Sequence, residues 1–318
     1  MRLKSFFKDI WQLLTVSLNG FLDDRCLKLS AALSYYTLFS LAPMLIMLIY
    51  IAGKVYGEEA FQGEVFKEIH GFIGAEAAAQ IQEIIKNAAI KQNSAWAVIV
   101  GASTLFIGAT GVFVEIQDSI NLIWRVKAKP QKGWLKMITN RLLSFSMIAS
   151  LGFLLIVSLV VNGLITALSE RLESYFPQIT VFVWVINLAV TFLVITVLLG
   201  IIFKFLPDVK IKWNFVRAGA IFTAIMFMIG RYGISLYIDK VGPGTTYGAA
   251  GSLIVILVWV YYSAAILYFG AEFTQVYAEK YCGKIEPASY AVHVEQVEKE
   301  KNVAVLPKQN KDIEPTGG

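Results

Sequence analysis

Ser252–Gln275 reads SLIVILVWVYYSAAILYFGAEFTQ, an unbroken apolar run with one acid and no base. A bilayer core ~30 Å thick takes about 20 such residues at 1.5 Å of helical rise each. The stretch is therefore long enough to cross a membrane as a helix. Working outward, five more stretches meet the same test: Ser30–Ala52, Ala95–Gln117, Leu142–Leu168, Ile179–Phe203 and Phe215–Ile238. Each is apolar around most of its circumference, which a soluble amphipathic helix is not. Hydrophobic residues make up 57% of the chain and charged ones 16%, a balance that leaves too few charges for an ordinary soluble surface. Tyr50, Trp96, Trp124, Trp134, Tyr175, Trp213 and Tyr237 fall near the ends of the runs, where amphipathic rings prefer the headgroup boundary.

The positive charges alternate along the segments that join these runs. Ahead of the first lie Arg2, Lys4, Lys8, Arg25 and Lys28. Between the second and third come Arg125, Lys127, Lys129, Lys132, Lys136 and Arg141, and between the fourth and fifth Lys204, Lys210, Lys212 and Arg217. The intervening segments hold only Lys54, Lys67, Lys86 and Lys91, then Arg171, then Arg231 and Lys240, so the division is 15 against 7. Basic linkers stay in the cytoplasm. The expectation is an all-α, polytopic bundle of six transmembrane helices with both termini cytoplasmic.

The organisation follows in three parts. Residues 1–29 form a cytoplasmic amphipathic segment: Phe6, Phe7, Ile10, Trp11, Leu14 and Leu18 recur at helical spacing beside Lys4 and Lys8. The segment either lies on the inner leaflet or packs under the bundle. It is not read as a cleavable signal peptide, because Lys8, Asp9, Asn19 and Gly20 interrupt its apolar run. Residues 30–275 form the membrane domain, and within it residues 54–94 are too long for a plain connector. There Phe61, Val65, Phe66, Ile69, Phe72 and Ile73 make one helical stripe, and Ala77, Ile81, Ile84, Ile85 and Ala88 another. Two amphipathic helices on the outer face would cap a cavity, dock an envelope partner, or pack on the bundle. Residues 276–318 alternate charges with little apolar content and are expected to be a largely disordered cytoplasmic tail. Cys26 and Cys282 both fall on the reducing side, so no disulfide is expected. A net charge of +5 and a pI near 9.0 point to the membrane rule rather than to nucleic acid.

Several polar residues sit inside or at the edge of the runs. Gly101, Thr104, Gly108, Gly111, Glu115 and Asp118 share one helical face. From Trp96 to Glu115 that helix rises ~28 Å, which brings the two carboxylates to the inner boundary, with Gln117 and Asn121 close by. Two readings stand: a carboxylate pair at the mouth of a pathway, or a structural ion-pair cluster with Arg125, Arg141 or Arg217. Ser34 and Thr37 share a face of the first run, and Pro43 bends it. Hydroxyls there either line a pathway or bond the backbone carbonyls of their own helix. Asn187 lies mid-membrane in the fourth run and must find a partner. Arg231 is expected to snorkel outward, and Glu272 to cap or snorkel at the inner end of the last run.

No reaction centre is evident. His70 and His293 are the only histidines, and GxSxG, HExxH and CxxC are missing from the chain. The loop Gly242–Ser252 is glycine-rich but lacks the Lys-Ser/Thr of a phosphate loop. The chain is read as a non-enzyme with no cofactor or metal.

The segment Ala31-Ala32-Leu33-Ser34-Tyr35-Tyr36-Thr37-Leu38-Phe39-Ser40-Leu41-Ala42-Pro43 resembles the first-span signature of the YihY/BrkB family of bacterial inner-membrane proteins. Tyr247, Gly248, Gly251 and Ser252, followed by Trp259, Tyr261, Ser263 and Gly270-Ala271-Glu272, are similar to its last-span signature. The stretch from Gly108 to Trp124 looks like a variant of its second span, and the likeness runs from about residue 10 to 280. The resemblance implies a multi-pass inner-membrane protein of transport type, moving a lipid or another amphiphile in envelope maintenance. The alternative is a scaffold that docks an envelope partner through the outer helices, with the bilayer as the other partner. Some members of the family were once labelled ribonuclease BN. This chain lacks the acidic or histidine metal site that RNA cleavage needs, so that label is read as a misassignment.

Overall fold

The computed structural model describes residues 2–40, 111–129, 179–241, 251–282 and 285–295. Six helices account for most of them. Helix α1 is Arg2–Asp23. A two-residue turn leads into α2, residues 26–40, and residues 111–123 form α3. Helices α4 (Ile179–Phe205), α5 (Trp213–Val241) and α6 (Gly251–Cys282) complete the set. These last three coincide with the fourth, fifth and sixth apolar runs, and each contains a window long and apolar enough to cross a membrane. Only parts of the first two runs are described. The third run and residues 54–94 lie outside the described residues.

Helix α5 packs between α4 and α6, and the α5–α6 seam is built from reciprocal glycine pockets. Thr274 of α6 fills the space over Gly219, and Thr223 of α5 fills the space over Gly270. Each threonine hydroxyl also donates to the carbonyl of the glycine four residues before it on its own helix. The seam thus satisfies its hydroxyls locally and brings the two backbones close, the usual means of holding helices together where solvent gives no hydrophobic drive. Phe222 stacks on Phe273 at 3.9 Å beside it. Facing outward, Leu193, Val197, Ile221, Ile225, Ile229, Leu236 and Leu253 stay exposed, as side chains that meet lipid do.

Helix α1 runs antiparallel along the last turns of α6. Asp9 meets Lys280 at 2.8 Å, Phe21 sets its edge on Phe269, and Gly20 lies against Glu272. Leu13, Ser17 and Phe21 are buried, while Leu18, Leu22 and Trp11 (73% exposed) face away. One face of the helix therefore packs on the bundle, and the opposite apolar face is left uncovered.

The chain is not purely helical. Strand β1 (Val126–Ala128) follows α3, and β2 (Val209–Lys210) follows α4. Both find partners within 276–318, the stretch expected to be largely disordered. There residues 276–282 extend α6, and residues 285–295 carry β3 (Glu286–Pro287) and β4 (Ala291–His293). Strand β4 pairs antiparallel with β1 in the register Lys127↔Val292, and β3 with β2 in the register Lys210↔Glu286. The physical reason is backbone hydrogen bonding rather than apolar content. Ala288 N–H donates to Asp208 O, Val294 N–H to Arg125 O, and Lys129 N–H to Tyr290 O. Residues 296–318 lie outside the described residues.

Candidate functional site

The turn after α1, the end of α3, the α4–α5 connector and residues 285–295 gather at one end of the helices, and two polar clusters form there. In the first, Arg125 bonds Asp24 at 2.6 Å, and the Asp24 side chain is 3% exposed. Glu272, also 3% exposed, shares a hydrogen bond with the Asp24 carboxyl and accepts one from the Cys26 thiol at 3.8 Å. Gly20 makes room for it: a Cβ there would come within 2.7 Å of Glu272 Oε2. Arg25 and Arg125 both adopt left-handed backbone (φ 53° and 54°), ending α1 and α3 and turning the chain so that Asp24 and the Arg125 guanidinium meet. Burial pushes Asp24 above the usual carboxylate range, against the pull of Arg125 and of the Glu272 hydrogen bond. Burial likewise pushes the Cys26 thiol up, with Glu272 and Asp24 adding to it.

The second cluster centres on Asp208. Asn121 Nδ2 donates to it at 3.0 Å, Tyr290 at 3.1 Å and Gln117 Nε2 at 3.4 Å, and the Asp208 N–H returns a bond to Asn121 Oδ1. Three side-chain donors hold this carboxylate, and those from Gln117 and Asn121 tie the α4–α5 connector to α3. The Tyr290 phenol is pushed up to about 12 by burial and by the Asp208 charge. Asp118 stands beside Asp208, and burial followed by that charge raises it. A cleft of about 530 Å³ opens here, with Gln117, Asp118 and Asn121 on one wall and Arg125, Lys127 and Val294 among the others. Asp208 is occupied by three donors and Arg125 is bound to Asp24, so Asp118 and Lys127 are the charged groups without such partners in the cleft. A carboxylate and an ammonium across one cleft suit a polar group carrying charges of both signs.

The polar residues singled out by sequence separate under this geometry. Asp118 lines the cleft. Glu115 turns instead toward α6, and among the described residues neither carboxylate has a cationic partner. Of the three cations expected beside them, Arg125 is taken by Asp24, Arg217 donates to Asn214, and Arg141 lies outside the described residues. Ser34 and Thr37 donate to the carbonyls of Ala31 and Leu33, the backbone-satisfying use. The expectation that Glu272 caps or snorkels is corrected. It lies ten residues before the end of α6, where α1 covers it, and a helix interior under another helix gives a carboxylate no route to water. Arg231 lies in α5 with its guanidinium 5.6 Å from the Tyr232 ring centre. Asn187, Gly251 and Ser252 belong to described helices, but their side chains, like Pro43, Thr104, Tyr247 and Gly248, lie outside the described residues.

Asp24, Asp208, Ser119, Tyr268 and Tyr290 were not singled out by sequence, and Cys26 was read only as a reduced thiol. Asp208 alone carried a signal, as the one acid among Lys204, Lys210, Lys212 and Arg217. Among the described residues no group of His, Cys, Asp and Glu is arranged to hold a metal ion.

The model of the family described as Virulence factor BrkB matches residues 17–292 of the chain. A UPF0761 membrane protein of Psychrobacter sp. (strain PRwf-1) is 26% identical over 271 residues, covering 84% of this chain and 48% of that protein. A UPF0761 membrane protein of Vibrio vulnificus (strain YJ016) is 29% identical, covering 81% of this chain and 79% of the relative. For one from Vibrio parahaemolyticus the identity is 28% and the shares are 87% and 83%. The chain thus spans about half the length of the Psychrobacter relative and most of the Vibrio ones. No solved structure matches it.

Proposed function

The chain belongs to the BrkB family of membrane proteins, and on that premise we propose that it is a non-enzymatic protein of the bacterial inner membrane that moves a lipid or another amphiphile between leaflets. The observation that carries the reading is the cleft at the polar end of the bundle. It is about 530 Å³, bounded by the α3 carboxylate Asp118 and by Lys127, and it lies below helices whose outer faces are apolar. A headgroup with charges of both signs fits such a cleft while its tails remain along the apolar helix faces.

Orientation enters the same reading. The basic connectors around Lys127 and Lys210 come together with α1 and residues 285–295, which supports a cytoplasmic end carrying both termini. The exposed stripe of Trp11, Leu18 and Leu22 on α1 then rests in the inner leaflet. Docking of an envelope partner through residues 54–94 is the alternative. Its test is deletion of that segment followed by crosslinking and recovery of the partner.

The transport reading is tested by reconstitution in liposomes with lipids labelled at the headgroup and a scrambling assay. Asp118→Ala and Lys127→Ala should each slow transfer several-fold while the protein stays folded. If Asp118→Ala and Lys127→Ala both transfer lipid at the wild-type rate, the proposed pathway is wrong.

A further inference from the structure

Among the described residues, seven serine and threonine side chains are buried: Ser17, Ser30, Ser34, Ser40, Ser119, Thr223 and Thr274. Six of them donate to a carbonyl three or four residues back on their own helix, as hydroxyls in membrane helices do. Ser119 does not. Its Oγ, on a residue 2% exposed, is left without a hydrogen-bond partner, as is the hydroxyl of Tyr268 on α6, a residue 0% exposed. The two hydroxyls sit near one another without forming a proper bond, and Tyr268 also feels the charge of Glu115. Glu115 and Ser119 are four residues apart on α3 and so share one face. A carboxylate and two hydroxyls that bond neither their own helices nor any other described group therefore meet between α3 and α6.

Among the described residues, the immediate surroundings supply carboxylates and neutral polar groups. Asp118 lies on the same helix with Asp208 beyond it. Helix α6 adds Glu272 one turn below Tyr268, and α2 adds Cys26 near Tyr268 and Tyr36 against Gly111. The Arg125 guanidinium is bound to Asp24. Carboxylate and hydroxyl oxygens are hard donors. One carboxylate with two neutral hydroxyls matches a single positive charge better than a divalent ion, which collects several carboxylates. We propose that Glu115, Ser119 and Tyr268 form a binding site for a small monovalent cation, Na+ or a proton held as hydronium. The site stands on its own geometry and not on the transport reading.

The test uses the full chain in lipid nanodiscs and follows its unfolding midpoint. One arm exchanges NaCl for choline chloride at constant ionic strength. The other varies pH between about 6 and 9 in choline chloride, around the range where a buried carboxylate would titrate. A sodium site gives a saturable rise in midpoint with Na+, and a proton site gives a rise as pH falls with no effect of Na+. In either case Glu115→Gln removes the response. Ser119→Ala and Tyr268→Phe, which change one oxygen each, weaken it about tenfold in half-saturating concentration or shift its pH midpoint. Should Glu115→Gln fail to fold, those two conservative variants decide. A wild-type midpoint indifferent to both Na+ and pH overturns the proposal. So does a response that survives unchanged in Ser119→Ala and Tyr268→Phe, or one that Glu272→Gln alone abolishes. None of these readouts measures transport, so their failure leaves the transport reading standing.

Discussion

Arg25 and Arg125 share a backbone conformation but not a role, and that difference can be measured. A non-glycine residue in left-handed backbone carries roughly 1 kcal/mol of strain. Arg25 is exposed and follows α1, so Arg25→Gly relieves strain and loses no side-chain hydrogen bond or ion pair among the described residues. It should leave stability within about 1 kcal/mol of wild type, or raise it. Arg125→Gly relieves the same strain but strips the cation from Asp24, a carboxyl that is buried beside a second one. Asp24 is buried but the Arg125 side chain is 36% exposed, so losing the pair should cost about 1–3 kcal/mol; this variant should melt below wild type, and equal midpoints for the two would refute the assignment. The Tyr290 phenol gives a pH-dependent counterpart. Its folded value of about 12 stands above the 10.0 of an ordinary tyrosine, so the native state holds the proton more tightly. Stability from the Tyr290–Asp208 bond is then fully present below pH 10 and lost as pH rises from 10 to about 12. The effect is small because the side chain is half exposed. A thermal-stability titration should show an alkaline decline that is shallower in Tyr290→Phe, and identical profiles would count against the bond.

At the scale of elements, the α5–α6 seam has the least tolerance for added volume. A methyl at Gly219 or Gly270 would overlap the opposing threonine, whose position is fixed by the bond to its own helix. Gly219→Ala should destabilise the protein by about 1–3 kcal/mol. Combining it with Thr274→Ala, which vacates the same space, should recover part of that loss. Two penalties that simply add would show that the two side chains do not compete for that space. The three helices of this region were legible in the sequence because a membrane span is a one-dimensional signal, length multiplied by hydropathy. Strands β3 and β4 were not legible, because pairings of two and three residues depend on backbone groups offered by distant connectors and leave no pattern in side chains. The same reasoning explains the candidate site. Asp118 was found because it follows a periodic face. Asp24 and Glu272, 248 positions apart, become neighbours only once α1 lies antiparallel on α6. Ser119 and Tyr268 look like any serine and tyrosine until every other buried hydroxyl is seen to bond its own helix.

For the whole molecule, the decisive relation is between charge and the meeting of chain segments at one end. The Lys/Arg-rich linkers bearing Arg125–Lys129 and Lys204–Arg217 are stitched together by residues 285–295, and α1 packs on α6 close by. An even number of crossings is what allows the first and last segments of a chain to share a side. The linker charges choose which side, since Lys and Arg resist export. The expected topology therefore has α1, the linker containing Lys132 and residues 285–295 in the cytoplasm, with Lys240 facing outward. Single cysteines test it in a background where Cys26 and Cys282 are replaced by serine or alanine, Cys26→Ala being the milder choice because that position is buried. A membrane-impermeant thiol reagent added to intact spheroplasts should label Lys240→Cys and spare Lys132→Cys. Inverted vesicles should give the reverse. Labelling of Lys132→Cys in spheroplasts would place the basic linkers outside. Asp118 and Lys127 would then face the periplasm, and the cleft would receive its ligand from the opposite leaflet.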